Sequence, residues 1–98
     1  MNILETEGYK LLVKALMSIE TEDECHALLD DLMTKKELLD ITQRILVAKL
    51  LSEDTVYVKI AEETGASTAT ISRVNRSYLY GPGGYKMILE KIGEEDKK

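Results

Sequence analysis

The sequence predicts an all-α protein of six helices around a small aliphatic core. Three observations carry that expectation. Apolar residues recur at helical spacing through most of the chain. Two segments, Thr21-Glu22-Asp23-Glu24 and Thr34-Lys35-Lys36-Glu37, have the Thr-x-x-Glu pattern that opens a helix by a reciprocal cap. No strand pattern competes with these helical signals.

The elements follow in order. A first helix, about Thr6 to Ile19, lines up Leu12, Ala15, Leu16 and Ile19 on one stripe. The second begins after Thr21 and is expected to bury Leu28, Leu29 and Leu32. The third, about Lys35 to Leu51, is apolar nearly all round, with Leu38, Leu39, Ile41, Ile45, Leu46, Val47, Ala48, Leu50 and Leu51. Such a helix is expected to be central and buried. A short fourth helix, Val56 to Thr64, ends at Gly65, the residue suited to a left-handed closing turn. Ser67 caps a fifth, about Thr68 to Leu79. After the loop Gly81-Pro82-Gly83-Gly84 comes a sixth, about Tyr85 to Ile92.

Length and composition bound the class. The 98 residues suit one small domain, 1–92, with a frayed, charged tail at 93–98. The chain is 44% hydrophobic without Trp or Phe, so its core is built from Leu, Ile, Val, Ala and Met. A core this small gains from being shared, and little else in the chain could cover the long third helix. Both facts predict a homodimer. The single cysteine, Cys25, excludes an internal disulfide framework. No apolar run reaches the roughly 18 residues of a membrane span, and MNILETEGYK has no signal-peptide pattern, so a cytoplasmic protein is expected.

Net charge is −5, which by itself speaks against nucleic acid. Its distribution does not. Residues 1–54 hold 12 acidic and 6 basic side chains, whereas 55–92 hold 3 acidic and 5 basic. The basic excess falls on the half that contains a helix-turn-helix pattern, about residues 56–79. In that pattern Ala61 is small where two helices cross, and Gly65 supplies the turn. Ile60, Ile71 and Val74 form the apolar wedge between the helices. The face left over on the second helix is Ser67, Thr68, Ala69, Thr70, Ser72, Arg73 and Arg76, the expected DNA-binding residues. Hydroxyls and helix N-terminal N–H groups suit phosphates, and only the arginines could read guanine by a bidentate contact. Shape and bridging water are expected to add specificity. The rival is a protein-interaction module that keeps the helix pair without using DNA, a reading favoured by the net acidity and few arginines.

The run Thr64-Gly65-Ala66-Ser67-Thr68-Ala69-Thr70-Ile71-Ser72-Arg73-Val74 resembles the signature of the Trp repressor-like YerC/YecD family. The resemblance extends from about Thr34 through the last helix. It implies six helices in an intertwined homodimer acting as a bacterial transcriptional repressor on double-stranded DNA, tuned by a small-molecule corepressor. It also implies that Arg44 and Arg73 flank a ligand, that Thr34 and Ser77 are polar positions near it, and that Thr70 and Ser72 hold phosphates. The tryptophan-binding relatives have Gly immediately after the second arginine. Val74 stands there here and would fill space that an indole needs, so tryptophan is not the expected ligand. Arg44 could instead pair with a carboxylate.

Other constellations carry little chemistry. The Gly81-Pro82-Gly83-Gly84 loop lacks P-loop spacing and is read as a hinge. Tyr78, Tyr80 and Tyr85 flank it and are expected to pack against protein rather than stack on DNA. Cys25 and His26 are adjacent on a helix and do not face each other, so neither a metal site nor a catalytic pair is expected. No nucleophile is spaced with a base, and no enzyme activity is predicted.

Overall fold

The structure, a computed structural model, describes residues 2–96. Among them are a 3-10 turn, Ile3–Glu5, six α-helices and no strand. The helices are α1 (Glu7–Met17), α2 (Glu22–Leu32), α3 (Lys35–Ser52), α4 (Tyr57–Thr64), α5 (Thr68–Tyr80) and α6 (Gly84–Asp96). Residues 1–36 and 37–98 form two compact units.

In the first unit the caps behave as their sequence dictates, with one difference. The Thr6 hydroxyl accepts from the Tyr9 N–H at 3.2 Å and donates to the Ile3 carbonyl at 2.7 Å. It thereby joins α1 to the 3-10 turn, which the sequence did not announce. Thr21 accepts from the Glu24 N–H at 3.1 Å, but the Glu24 carboxylate accepts from Glu20 rather than from the cap residue, at 2.8 Å. No residue of α1 or α2 is buried. Leu12, Ala15, Ile19, Leu28 and Leu29 are half-buried. Leu32, expected inside, is 48% exposed, and Leu16 of the α1 stripe is exposed to the same degree. Two 11-residue helices cannot enclose a core between them.

The second unit holds the core. Val47 and Ala48 of α3, Ile60 of α4, Ala66 of the turn, and Ile71 and Val74 of α5 are buried together. Leu50, Leu51, Tyr57, Ala61, Tyr85 and Leu89 pack against them. The expectation of a wholly buried α3 is not met within one chain. Only Val47 and Ala48 of this helix are buried, and Leu39, Ile41, Ile45 and Leu46 remain 38–61% exposed. The core gathers on one side of α3, so the helix's other apolar side stays open.

The end of α3 is a Schellman closure. The Thr55 N–H donates to the Leu50 carbonyl at 3.1 Å and the Asp54 N–H to the Leu51 carbonyl at 3.0 Å. Asp54 takes the left-handed conformation, φ 58°, that this closure requires. Glycine occupies that region without a Cβ penalty. Asp54→Gly should therefore stabilise the fold by about 0.5–1 kcal/mol, read as a higher denaturation midpoint. An unchanged or lower midpoint would show that the aspartate side chain compensates for its backbone.

Helix α6 runs through Gly93 to Asp96, beyond the Ile92 end expected from sequence. Glu and Lys are good helix formers, and one internal Gly costs only about 1 kcal/mol, so the charged segment continues the helix. Lys97 and Lys98 lie outside the described residues. Between α5 and α6, Gly81 closes α5 by donating to the Ser77 carbonyl at 2.8 Å. A Cβ at Gly81 would fall on that same carbonyl oxygen. Gly81→Ala should destabilise by about 1–3 kcal/mol through forced backbone movement. A melting temperature equal to that of the parent would contradict this.

Candidate nucleic-acid interface

The helix-turn-helix is assembled from α4, the turn and α5. Val56 to Thr64 has helical spacing, and Gly65 ends the helix in the left-handed conformation, φ 72°, donating to the Ala61 carbonyl at 2.9 Å. The Thr64 hydroxyl donates to the Ile60 carbonyl at 2.7 Å and accepts from the Ala66 N–H at 3.1 Å. Ser67 then caps α5, its hydroxyl accepting from the Thr70 N–H at 3.1 Å and donating to the Thr70 hydroxyl at 3.0 Å. The wedge expected from sequence is in place, with Ile60 and Ile71 0% and Val74 4% exposed. This apolar contact docks α5 across α4 and decides which face of α5 is left outside.

That face carries the expected residues. Ser67, Thr68, Ala69, Ser72, Arg73 and Arg76 are exposed, and Thr70 is half-buried. They lie on the first two and a half turns of α5, beginning at a helix N-terminus whose free N–H groups and dipole attract anions. Neither Arg73 nor Arg76 is ion-paired among the described residues, so both guanidinium groups can meet an outside acceptor.

Two hydrogen bonds that hold this unit together escaped the sequence analysis. The Asn75 amide of α5 donates to the Tyr57 hydroxyl of α4 at 3.0 Å. The Gln43 amide of α3 donates to the Thr64 carbonyl at 3.2 Å. Gln43 is an uncharged polar residue inside a strongly apolar helix, which is a signal of sorts. Nothing in one sequence pairs Tyr57 with Asn75.

A cleft of about 420 Å³ opens between α3 and α5, with Tyr85 of α6 at its edge. Asp40, Gln43 and Arg44 line it from α3, and Thr70, Arg73, Val74 and Ser77 from α5. The structure thus brings together Arg44, Arg73 and Ser77, three of the four residues expected near a ligand. Thr34 belongs to the first unit. Arg44 is exposed and not ion-paired among the described residues, so the alternative of a carboxylate partner for it is not realised. Val74 contributes to the cleft wall while its side chain is almost wholly sunk in the core.

Tyr85 packs on the core, Lys86 lies over the Tyr78 ring at 5.3 Å, and Tyr80 is 82% exposed. His26 Nε2 is 3.3 Å from a Glu22 carboxylate oxygen on the same helix. Among the described residues no group of three or more His, Cys, Asp or Glu could hold a metal ion. No helix there is long and apolar enough to cross a membrane.

Comparison with known proteins points the same way as the geometry. The Trp repressor protein family matches residues 7–93. The chain is 42% identical over 98 residues to the uncharacterized protein YerC of Bacillus subtilis (strain 168), covering 98% of this chain and 94% of that one. The crystal structure of a TrpR-like protein from Eubacterium eligens ATCC 27750 is similar with a TM-score of 0.89 at 46% identity, over 95% of this chain and 96% of that one. A solved chain from Staphylococcus aureus is similar with a TM-score of 0.87 at 40% identity, over 95% of each.

Proposed function

The chain belongs to the Trp repressor family, and from that premise we propose that it is a dimeric, sequence-specific regulator of transcription, a repressor that binds double-stranded DNA. The observation that carries this reading is the outward face of α5. The buried wedge of Ile60, Ile71 and Val74 leaves Ser67, Thr68, Ala69, Ser72, Arg73 and Arg76 exposed at the N-terminal end of a capped helix. Such an end enters the major groove. Thr70 and Ser72 serve phosphates, and Arg73 and Arg76 reach base edges. Repression follows from occupying a promoter, in the cytoplasm of a bacterial cell.

The dimer rests on the uncovered apolar side of α3. Leu39, Ile41, Ile45 and Leu46 are exposed there, and Ile88 and Ile92 of α6 are 41% and 44% exposed. A second copy would bury this surface, as a large unpaired apolar face requires. An intertwined two-fold pairing would set the two α5 helices about 34–36 Å apart, one turn of DNA.

The test is a titration of the protein on duplexes enriched from a random pool, at several salt concentrations. Each phosphate contact should contribute a slope of about −0.9 in log affinity against log salt. Absence of binding at low salt, or binding without a slope, would reject DNA as the partner in favour of a protein-interaction module.

The Arg44–Arg73 cleft is the proposed place for a small-molecule effector. Val74 occupies part of its wall, so tryptophan should leave the melting temperature unchanged, whereas a ligand of the native state raises it. A rise with tryptophan would show that Val74 does not exclude an indole.

A further inference from the structure

We infer that Gln43 is a positioning residue for the reading helix: its amide latches the turn of the helix-turn-helix to the central helix α3. This rests on the reading of α5 as the DNA-contacting element.

The turn needs such a latch for two reasons. The Thr64 carbonyl is among the last four of α4 and has no intrahelical partner of its own. Its neighbours are tied back to α4, Gly65 through the Ala61 carbonyl and Ala66 through the Thr64 hydroxyl. The Thr64 carbonyl instead accepts from Gln43 Nε2 at 3.2 Å, across 21 residues of sequence and in a half-buried setting. Second, the core between α3 and the helix-turn-helix consists of Val47, Ala48, Ile60, Ala66, Ile71 and Val74. The hydrophobic contribution of these contacts has no direction of its own. A hydrogen bond to the turn defines a distance and an angle. The chain leaves the latched carbonyl and enters α5 four residues later, so a shift of the turn is delivered to the end of α5 that enters the groove.

The orientation of the amide is set by its partner. A carbonyl oxygen only accepts, so the Gln43 nitrogen must face it. A glutamate at position 43, equal in shape, would set acceptor against acceptor. A methionine would keep the length and lose the donor. A lysine would keep a donor at similar reach.

The experiment uses the full chain with Gln43→Met, Gln43→Glu and Gln43→Lys. Amide hydrogen exchange of Gly65 and Ala66 is read first, because it does not depend on any DNA. Loss of one hydrogen bond should speed exchange there about five- to tenfold in Gln43→Met and Gln43→Glu, with Gln43→Lys near the parent and α6 amides unchanged. Unchanged exchange at the turn, or equal acceleration in every helix, overturns the latch. Affinity for an enriched duplex is then measured at a temperature where all variants are folded. A loss of similar size with the salt slope retained supports positioning. Faster exchange with unaltered affinity shows a merely structural bond and overturns it. A parent protein that binds no duplex at low salt would instead reject the DNA reading, while the exchange result still decides the latch.

Discussion

Arg73→Ala should fold as the parent does and lose DNA binding. Arg73 is exposed on the outer face of α5 and not ion-paired among the described residues, so its removal leaves no buried partner stranded. Surface changes of this kind usually alter stability by less than about 0.5 kcal/mol. A bidentate contact to guanine is worth about 1–3 kcal/mol, and a two-fold dimer loses it twice. The combined loss, about 2–6 kcal/mol, lowers affinity from tens of fold to beyond detection. Thermal melts and duplex titrations check the two halves of the statement. Arg44→Ala is the control, since Arg44 lies on α3, outside the reading helix, and shares only the cleft with Arg73. Equal affinity of the Arg73→Ala protein and the parent would mean that α5 is not the reader. Equal losses at both positions would shift attention from α5 to the cleft.

The largest effect on stability is expected from Ile71→Ala. Ile71 is 0% exposed at the centre of the wedge, in a core of six buried residues among those described. Truncating a buried isoleucine to alanine costs about 2–5 kcal/mol, the transfer term plus the cavity left behind. A small domain has little stability to lose, so this is a large fraction of the whole. Ile60→Ala should cost as much, and the pair together less than the sum, because both shape one contact. Chemical denaturation of the three variants measures this. A loss below about 1 kcal/mol for Ile71→Ala would show that α5 is held mainly by its polar tie to α4, the Asn75–Tyr57 hydrogen bond.

Much of the site was legible in the chain because its causes are local. Gly65 is needed where the backbone turns left-handed, Ser67 where four N–H groups lack partners, and Ile60, Ile71 and Val74 where two helices must meet. Each of these demands selects a residue type at a set spacing, and each was found in place. The Asn75–Tyr57 and Gln43–Thr64 bonds were not legible. They join residues 18 and 21 apart, and a polar side chain does not announce which distant group it will meet. Burial was misjudged for Leu32 for a related reason. Periodicity says which face of a helix is apolar, and not whether anything within the same chain covers it.

The sequence alone therefore determined the six α-helices, the Thr21 and Ser67 hydroxyl caps, the Gly65 turn and the outward set of hydroxyls and arginines, since backbone sterics and hydrogen-bonding needs act over a few residues. Only the tertiary structure decided that Arg44, Arg73 and Ser77 share one cleft, that Val74 belongs more to the core than to that cleft, and that one side of α3 stays open. Those outcomes depend on the angles at which helices pack. The packing angles are set by the sum of many weak contacts between segments distant in the chain, and no short stretch of residues encodes that sum.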